Sequence, residues 1–145
     1  MPNNQMKVFI DTNIFIDFIA GRQPFVKEAE IIFQLADNKE VELLLSDLTI
    51  INTIYILRRL SYQTEDILNT IEELRHLFTI TSIGQSVIDR CIQHRGSDFE
   101  DEAQYFSAID AGADYIVTRN KKDYDFGDNS VVTPQEFLAI MNVKT

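Results

Sequence analysis

The chain has 145 residues, a length that suits one domain of common size, and 45% of them are apolar, with ten Phe and five Tyr. This composition excludes an intrinsically disordered chain. A formal charge of −10, from 23 acidic against 13 basic residues, excludes a nucleic-acid binder that relies on overall charge.

The lone Cys91 can form no internal disulfide and no zinc site, and its setting in VIDRCIQH reads as a packed helix position. MPNNQMK leads straight into a strand and does not resemble a signal peptide. No apolar run approaches the roughly 20 residues of a membrane helix, so a cytoplasmic protein in a reducing compartment is expected, away from membranes.

KVFID reads as a first strand and IFIDFIAG as a short helix closed by Gly21. FVKEAEIIFQLADNK carries apolar residues near helical period, and Pro24 suits its first turn. VELLLS is a compact second strand. Ser46 or Asp47 can cap the next helix, whose apolar face includes Leu48, Ile51, Ile54, Tyr55 and Leu57. Thr64 is placed to cap a helix over EDILNTIEELRHL, with Glu65 and Asp66 in the first turn. FTITSI is a third strand, SVIDRCIQHR a helix, and GSD a turn into a second helix, FEDEAQYFSAIDAG, closed by Gly112. YIVTRN is a fourth strand, KKDYDFGDN a polar loop, SVVT a short fifth strand, and PQEFLAIM a last helix opened by Pro134. This alternation predicts an α/β fold with a mainly parallel sheet of four to five strands, covered on both faces, in a single domain spanning 1–145.

In an open parallel sheet, ligands bind beyond the carboxyl ends of the strands. Asp11 stands at that end of the first strand. The loop after the fourth strand brings Asn120 and Asp123 to the same edge, and the helix that feeds the fourth strand starts there with Asp98 and Asp101. Carboxylates gathered without basic partners raise one another's pKa unless a cation sits among them. Hard oxygen donors suit Mg²⁺ or Mn²⁺, which keep several waters and bind phosphate oxygens. The plainer reading of Asp98 is a helix cap.

VFIDTNIFIDFIAGRQPF, SDFEDEAQYFSAIDAGADYIVTRNKKDYDF and VVTPQEFL together resemble a PIN domain. LSDLTIINTIYILRR resembles a branch of the family with Asn where a second acidic residue is usual. The resemblance spans nearly the whole chain. It implies a three-layer α/β/α sandwich and a metal-dependent endoribonuclease acting on an RNA substrate, of the kind found as VapC-type toxins of toxin–antitoxin pairs. An antitoxin protein partner and a homodimer are implied with it. The family's catalytic acids map to Asp11, Asp101 and Asp123, with Asp98 added to the metal set. Thr12, Asn13, Asn52 and Asn120 map to supporting polar positions. Asn52 stands where the family often has a glutamate, and an amide brings neither charge nor basicity.

Arg119, Lys121 and Lys122, beside Asp123, are the first candidates for phosphate contacts, followed by Arg58 with Arg59, and by Arg22. Asp17 reads as a solvated helix position, with support of Asp11 as the alternative. Asp114 is placed to fix the turn into the fourth strand. His76 and His94 lack ligand spacing, and Phe15, Phe18, Phe25 and Phe33 fall at core spacing. Two other functions compete. One is a catalytically weak or inactive RNA- or protein-binding module, favoured by Asn52 and the acidic balance. The other makes Asp11 a phosphoryl acceptor, as in haloacid-dehalogenase-type phosphatases or receiver domains. Those phosphatases want an Asp where Asn13 stands, and receivers want an acidic pair that MKVFID lacks.

Overall fold

The computed structural model describes residues 5–124 and 130–143. Five strands, β1 (Met6–Ile10), β2 (Val41–Ser46), β3 (Phe78–Thr81), β4 (Tyr115–Val117) and β5 (Val131–Val132), form one sheet in the order β3-β2-β1-β4-β5. Every pairing is parallel. Between them run α1 (Thr12–Ala20), α2 (Val26–Asp37), α3 (Asp47–Arg59), α4 (Thr64–Leu74), α5 (Gly84–His94), α6 (Phe99–Asp110) and α7 (Pro134–Ile140). Short 3₁₀ turns cover Arg75–Leu77 and Lys121–Tyr124. Among the described residues no helix is long and apolar enough to cross a membrane.

β1 is central, and its side chains alternate between two buried layers. Val8 and Ile10 enter a core built with α1, α2, α3, α4 and α7, where Phe15, Ile32, Leu57, Ile71, Phe137 and Leu138 pack. Phe9 enters the opposite layer with Leu44, Ile116, Val131, Ala108 of α6 and Tyr124. A third cluster joins Val87 and Cys91 of α5 to Ala103 of α6, which gives Cys91 the packed role expected of it. Helices on both faces of a parallel sheet make the three-layer α/β arrangement, and burial on both faces explains the unbroken apolar run of VFI.

Local chemistry sets the element ends. Ser46 caps α3 by accepting from the Thr49 amide at 3.0 Å. Thr133 and Glu136 form a reciprocal capping box at α7, with Pro134 in the first turn. Asp114 accepts from the Lys7 amide at 2.8 Å and so ties the turn before β4 to β1. Two starts differ from expectation. α2 begins at Val26 because the amides of Phe25 and Val26 both bond to the Arg22 carbonyl, so Pro24 lies in the preceding turn. α4 has Gln63 at its cap and Thr64 as its first helical residue.

Asp17 corrects its expected place on a solvated face. It is 1% exposed, and it accepts from Arg22 Nε at 2.9 Å and Arg119 Nε at 2.7 Å. The Arg119 guanidinium also lies 3.8 Å from the Phe25 ring centroid. These contacts pin the second residue after β4 onto α1. The Nδ1 of His94 meets the buried carboxylate of Glu102.

Removing a charged acceptor that two guanidiniums share costs more than a surface change. Asp17→Ala is expected to lower the unfolding free energy by about 2–3 kcal/mol, read from urea titration. A shift within about 0.5 kcal/mol would restore the solvated reading.

Candidate active site at the carboxyl rim of the sheet

β1 hands the chain to α1 through Asp11. The Asp11 amide donates to the Val117 carbonyl at 3.0 Å, which fixes it where β1 and β4 end together. Its side chain caps α1, with Oδ1 accepting from the Thr12 amide at 2.7 Å and Oδ2 from the Thr118 hydroxyl at 2.9 Å. Asp11 stands at the strand end as expected, and it is buried there. Burial pushes its carboxyl above the ordinary range, opposed by hydrogen bonds from Thr118, Thr12 and Tyr124, while Asp123 adds repulsion. The buried Tyr124 phenol is pushed up in turn, first by burial and then by the charge of Asp11.

α6 delivers the next acids. Asp98 is its cap and accepts from the Asp101 amide at 3.0 Å, so the cap reading holds for it. Asp101, in the first turn of the helix, has its carboxyl pushed up to about 7 by burial and then by Asp98, Asp11, Asp123 and Glu100. Glu100 is raised by burial, by Asp98 and by Asp11, and it accepts from Asn52 Nδ2 at 2.7 Å. Asp123 comes from the 3₁₀ turn after β4, where its amide bonds to the Asn120 carbonyl at 2.8 Å. Three separate segments therefore bring carboxylates within electrostatic reach of one another.

The polar and basic candidates divide. Thr12 is buried at the start of α1, with Asn13 half-buried after it, and Asn120 is held by its amide bond to the Thr118 hydroxyl at 3.1 Å. Arg119 is engaged by Asp17 and Phe25, which directs it inward. Lys121 meets Glu136 at 3.2 Å in an exposed pair, and Lys122 is exposed beside it. Arg58 lies in the last turn of α3. At 1.5 Å per residue it stands about 18 Å from the Ser46 cap, at the end of the helix away from the rim.

A family profile described as PIN domain matches residues 7–122. The chain belongs to the PIN domain family. No curated protein matches it. Among solved structures, a toxin–antitoxin complex from Klebsiella pneumoniae is similar at 25% identity, with 88% of this chain and 97% of that one covered and a TM-score of 0.65. VapBC2 from Rickettsia felis, bound to a DNA fragment from its promoter, shares 17% identity over the same shares of each chain, with a TM-score of 0.62. The sarcin–ricin-loop-cleaving toxin VapC20 of Mycobacterium tuberculosis shares 13% identity over 75% of this chain and 86% of that one, with a TM-score of 0.59. At 17% and 13% identity, the latter two likenesses bear on the fold alone.

In this PIN domain the donor set suits a hard cation, being oxygen-only, with the Asp11, Glu100 and Asp101 carboxyls raised by burial and by like charge. Among the described residues, no three carboxylate, imidazole or thiol groups stand close enough to hold one ion together. Mg²⁺ asks for less, because it binds through one or two carboxylates and keeps its waters for substrate phosphate. Glu100, Thr118 and Tyr124 join the site although motif spacing did not mark them. The E in SDFED was the available signal for Glu100, overshadowed by its aspartate neighbours.

Asp101 makes stability depend on pH in a defined direction. Its folded pKa of about 7 lies above the ordinary aspartate value. The folded state thus holds the proton longer, and ionisation opposes folding. Without divalent cations, stability is expected to fall as pH rises from about 4 to about 7, and Asp101→Asn should flatten that slope. Urea midpoints measured across this range in EDTA test it, and a slope unchanged in the variant would count against the assignment.

Proposed function

We propose that this PIN domain is a metal-dependent endoribonuclease that hydrolyses RNA phosphodiester bonds with Mg²⁺ or Mn²⁺, as the toxin of a toxin–antitoxin pair. The observation that carries the reading is Asp101, since the charges acting on it most strongly are all negative. Such a rim is relieved by a cation. Asp11, Asp101 and Asp123, with Asp98, are the residues assigned to hold it. A bound Mg²⁺ or Mn²⁺ supplies charge neutralisation at the phosphate and acidifies water. Thr12 and Thr118 keep the Asp11 carboxylate aimed and ionisable, while Asn13, Asn52 and Asn120 border it. Lys121 and Lys122 are the cations closest in sequence to Asp123. The exposed Lys121–Glu136 pair is worth little and leaves Lys121 free to turn toward phosphate. Hydrolysis in this sense leaves a 5′-phosphate and a 3′-hydroxyl.

An antitoxin partner is supported by an apolar groove of about 520 Å³ lined by Leu48, Ile51, Ile83, Ile88 and Phe99, with Glu100 at its edge. Ile51 and Phe99 are 64% and 47% exposed, more than a side chain of that kind usually gives to water without a partner. Tyr55 of α3 and Leu68 of α4 are exposed as well and support a homodimer. The reading as a non-catalytic binding module rests on Asn52, whose amide is spent on Glu100.

RNA cleavage is expected with Mg²⁺ or Mn²⁺, to be abolished by EDTA, and to fall at least about 100-fold in Asp11→Asn and Asp101→Asn at unchanged circular dichroism. Cleavage that survives EDTA would overturn the mechanism. Absence of saturable Mn²⁺ binding at millimolar concentration would select the binding module instead.

A further inference from the structure

The acids of the rim ride on separate segments, and packing alone does not fix how α6 sits against the other two. Apolar contacts tolerate small slides, whereas hydrogen bonds are directional. Gln104 follows Asp101 at a helical spacing of three and is its neighbour on the α6 surface, and Ser107 follows Gln104 in the same way. Both are buried. Ser107 shares a hydrogen bond with Thr81 Oγ1 at 2.7 Å and donates to the Ser82 carbonyl at 3.1 Å, which fastens α6 to the end of β3.

Gln104 does more. Its Nε2 donates to Thr12 Oγ1 at 3.1 Å and to Thr49 Oγ1 at 2.9 Å, and its Oε1 accepts from Ser46 Oγ at 2.6 Å. Thr12 and Thr49 are themselves joined at 2.9 Å. Thr12 begins α1 directly after Asp11, Ser46 caps α3, and Thr49 lies in the first turn of α3, three residues before Asn52. One buried carboxamide, with both protons and its oxygen used, therefore binds α6 to the starts of α1 and α3. A carboxylate or an apolar side chain of the same length cannot supply two donors and one acceptor here.

We propose that Gln104 is the positioning residue of the rim, its carboxamide setting where Asp101 stands relative to Asp11 and Asn52. The inference rests on the metal-dependent reading and adds to it a residue that touches neither cation nor RNA. Loss of the amide leaves three buried hydroxyls to re-pair and loosens the Asp101 end of α6 from α1 and α3, while Ser107 still holds the helix to β3.

Mn²⁺ titration of the full chain by calorimetry, paired with melting temperature, tests this in wild type, Gln104→Met, Thr49→Val and Ile71→Ala. The last is a core control on α4, outside the network. Gln104→Met is expected to raise the Mn²⁺ Kd about tenfold or more, and Thr49→Val by a smaller factor. Ile71→Ala should lower the melting temperature while leaving the Kd unchanged. Should Gln104→Met fail to fold, Thr49→Val against Ile71→Ala decides the matter alone. A Kd equal to wild type in the network variants, or moved as far by Ile71→Ala, overturns the positioning role while the nuclease reading stands. Wild-type protein without saturable Mn²⁺ binding overturns both together.

Discussion

A carboxylate buried at the end of the central strand is among the costliest groups a fold can contain, and much of this structure is arranged around one. Asp11 has given up most of its contact with water, and in exchange holds the Thr12 amide and the Thr118 hydroxyl. Those two bonds join the start of α1 to the residue after β4, so the group that is hardest to bury also knits the rim together. The same position makes Asp11 responsive: burial pulls its pKa upward while its hydrogen bonds pull it down. A group balanced in this way is sensitive to any positive charge brought near it.

Around Asp11 the fold separates two kinds of acid. Asp17, six residues later, is also buried, but two arginines answer its charge and it serves as a clamp. Asp101 and Glu100 are raised first by burial and then by neighbours of their own sign. The fold thus pairs one buried acid with cations and leaves Asp101 and Glu100 among like charges, within a chain of net charge −10.

The element order was legible because it depends on local pattern: β-branched runs for strands, helical period for α2 to α6, and Ser46 and Pro134 at helix starts. The meeting of Asp11, Asp98, Asp101 and Asp123 followed from parallel α/β geometry, which puts strand ends and returning helix starts on one edge. What escaped were pairings without a period. The partner that lets Asp11 be buried lies 107 positions away in Thr118, and the partner that turns Asp17 inward lies 102 positions away in Arg119. Gln104 reads as an ordinary helix residue until three hydroxyls from two other segments are seen around it. The start of α2 was missed because the Arg22 carbonyl, not Pro24, organises that turn.

The strand order also has a temporal side. β1 pairs with β2 early in the chain, but its other neighbour, β4, begins at Tyr115. At about 5–20 residues per second of synthesis, Asp11 is made roughly 5–20 s before Asp101 and Thr118 exist. Until then the strand edge that will receive β4 is open and the aspartate has neither its hydroxyl donor nor its acidic neighbours. A nascent or truncated chain can thus hold half of the sheet and none of the assembled rim, so that the site comes into being only with the last third of the polypeptide.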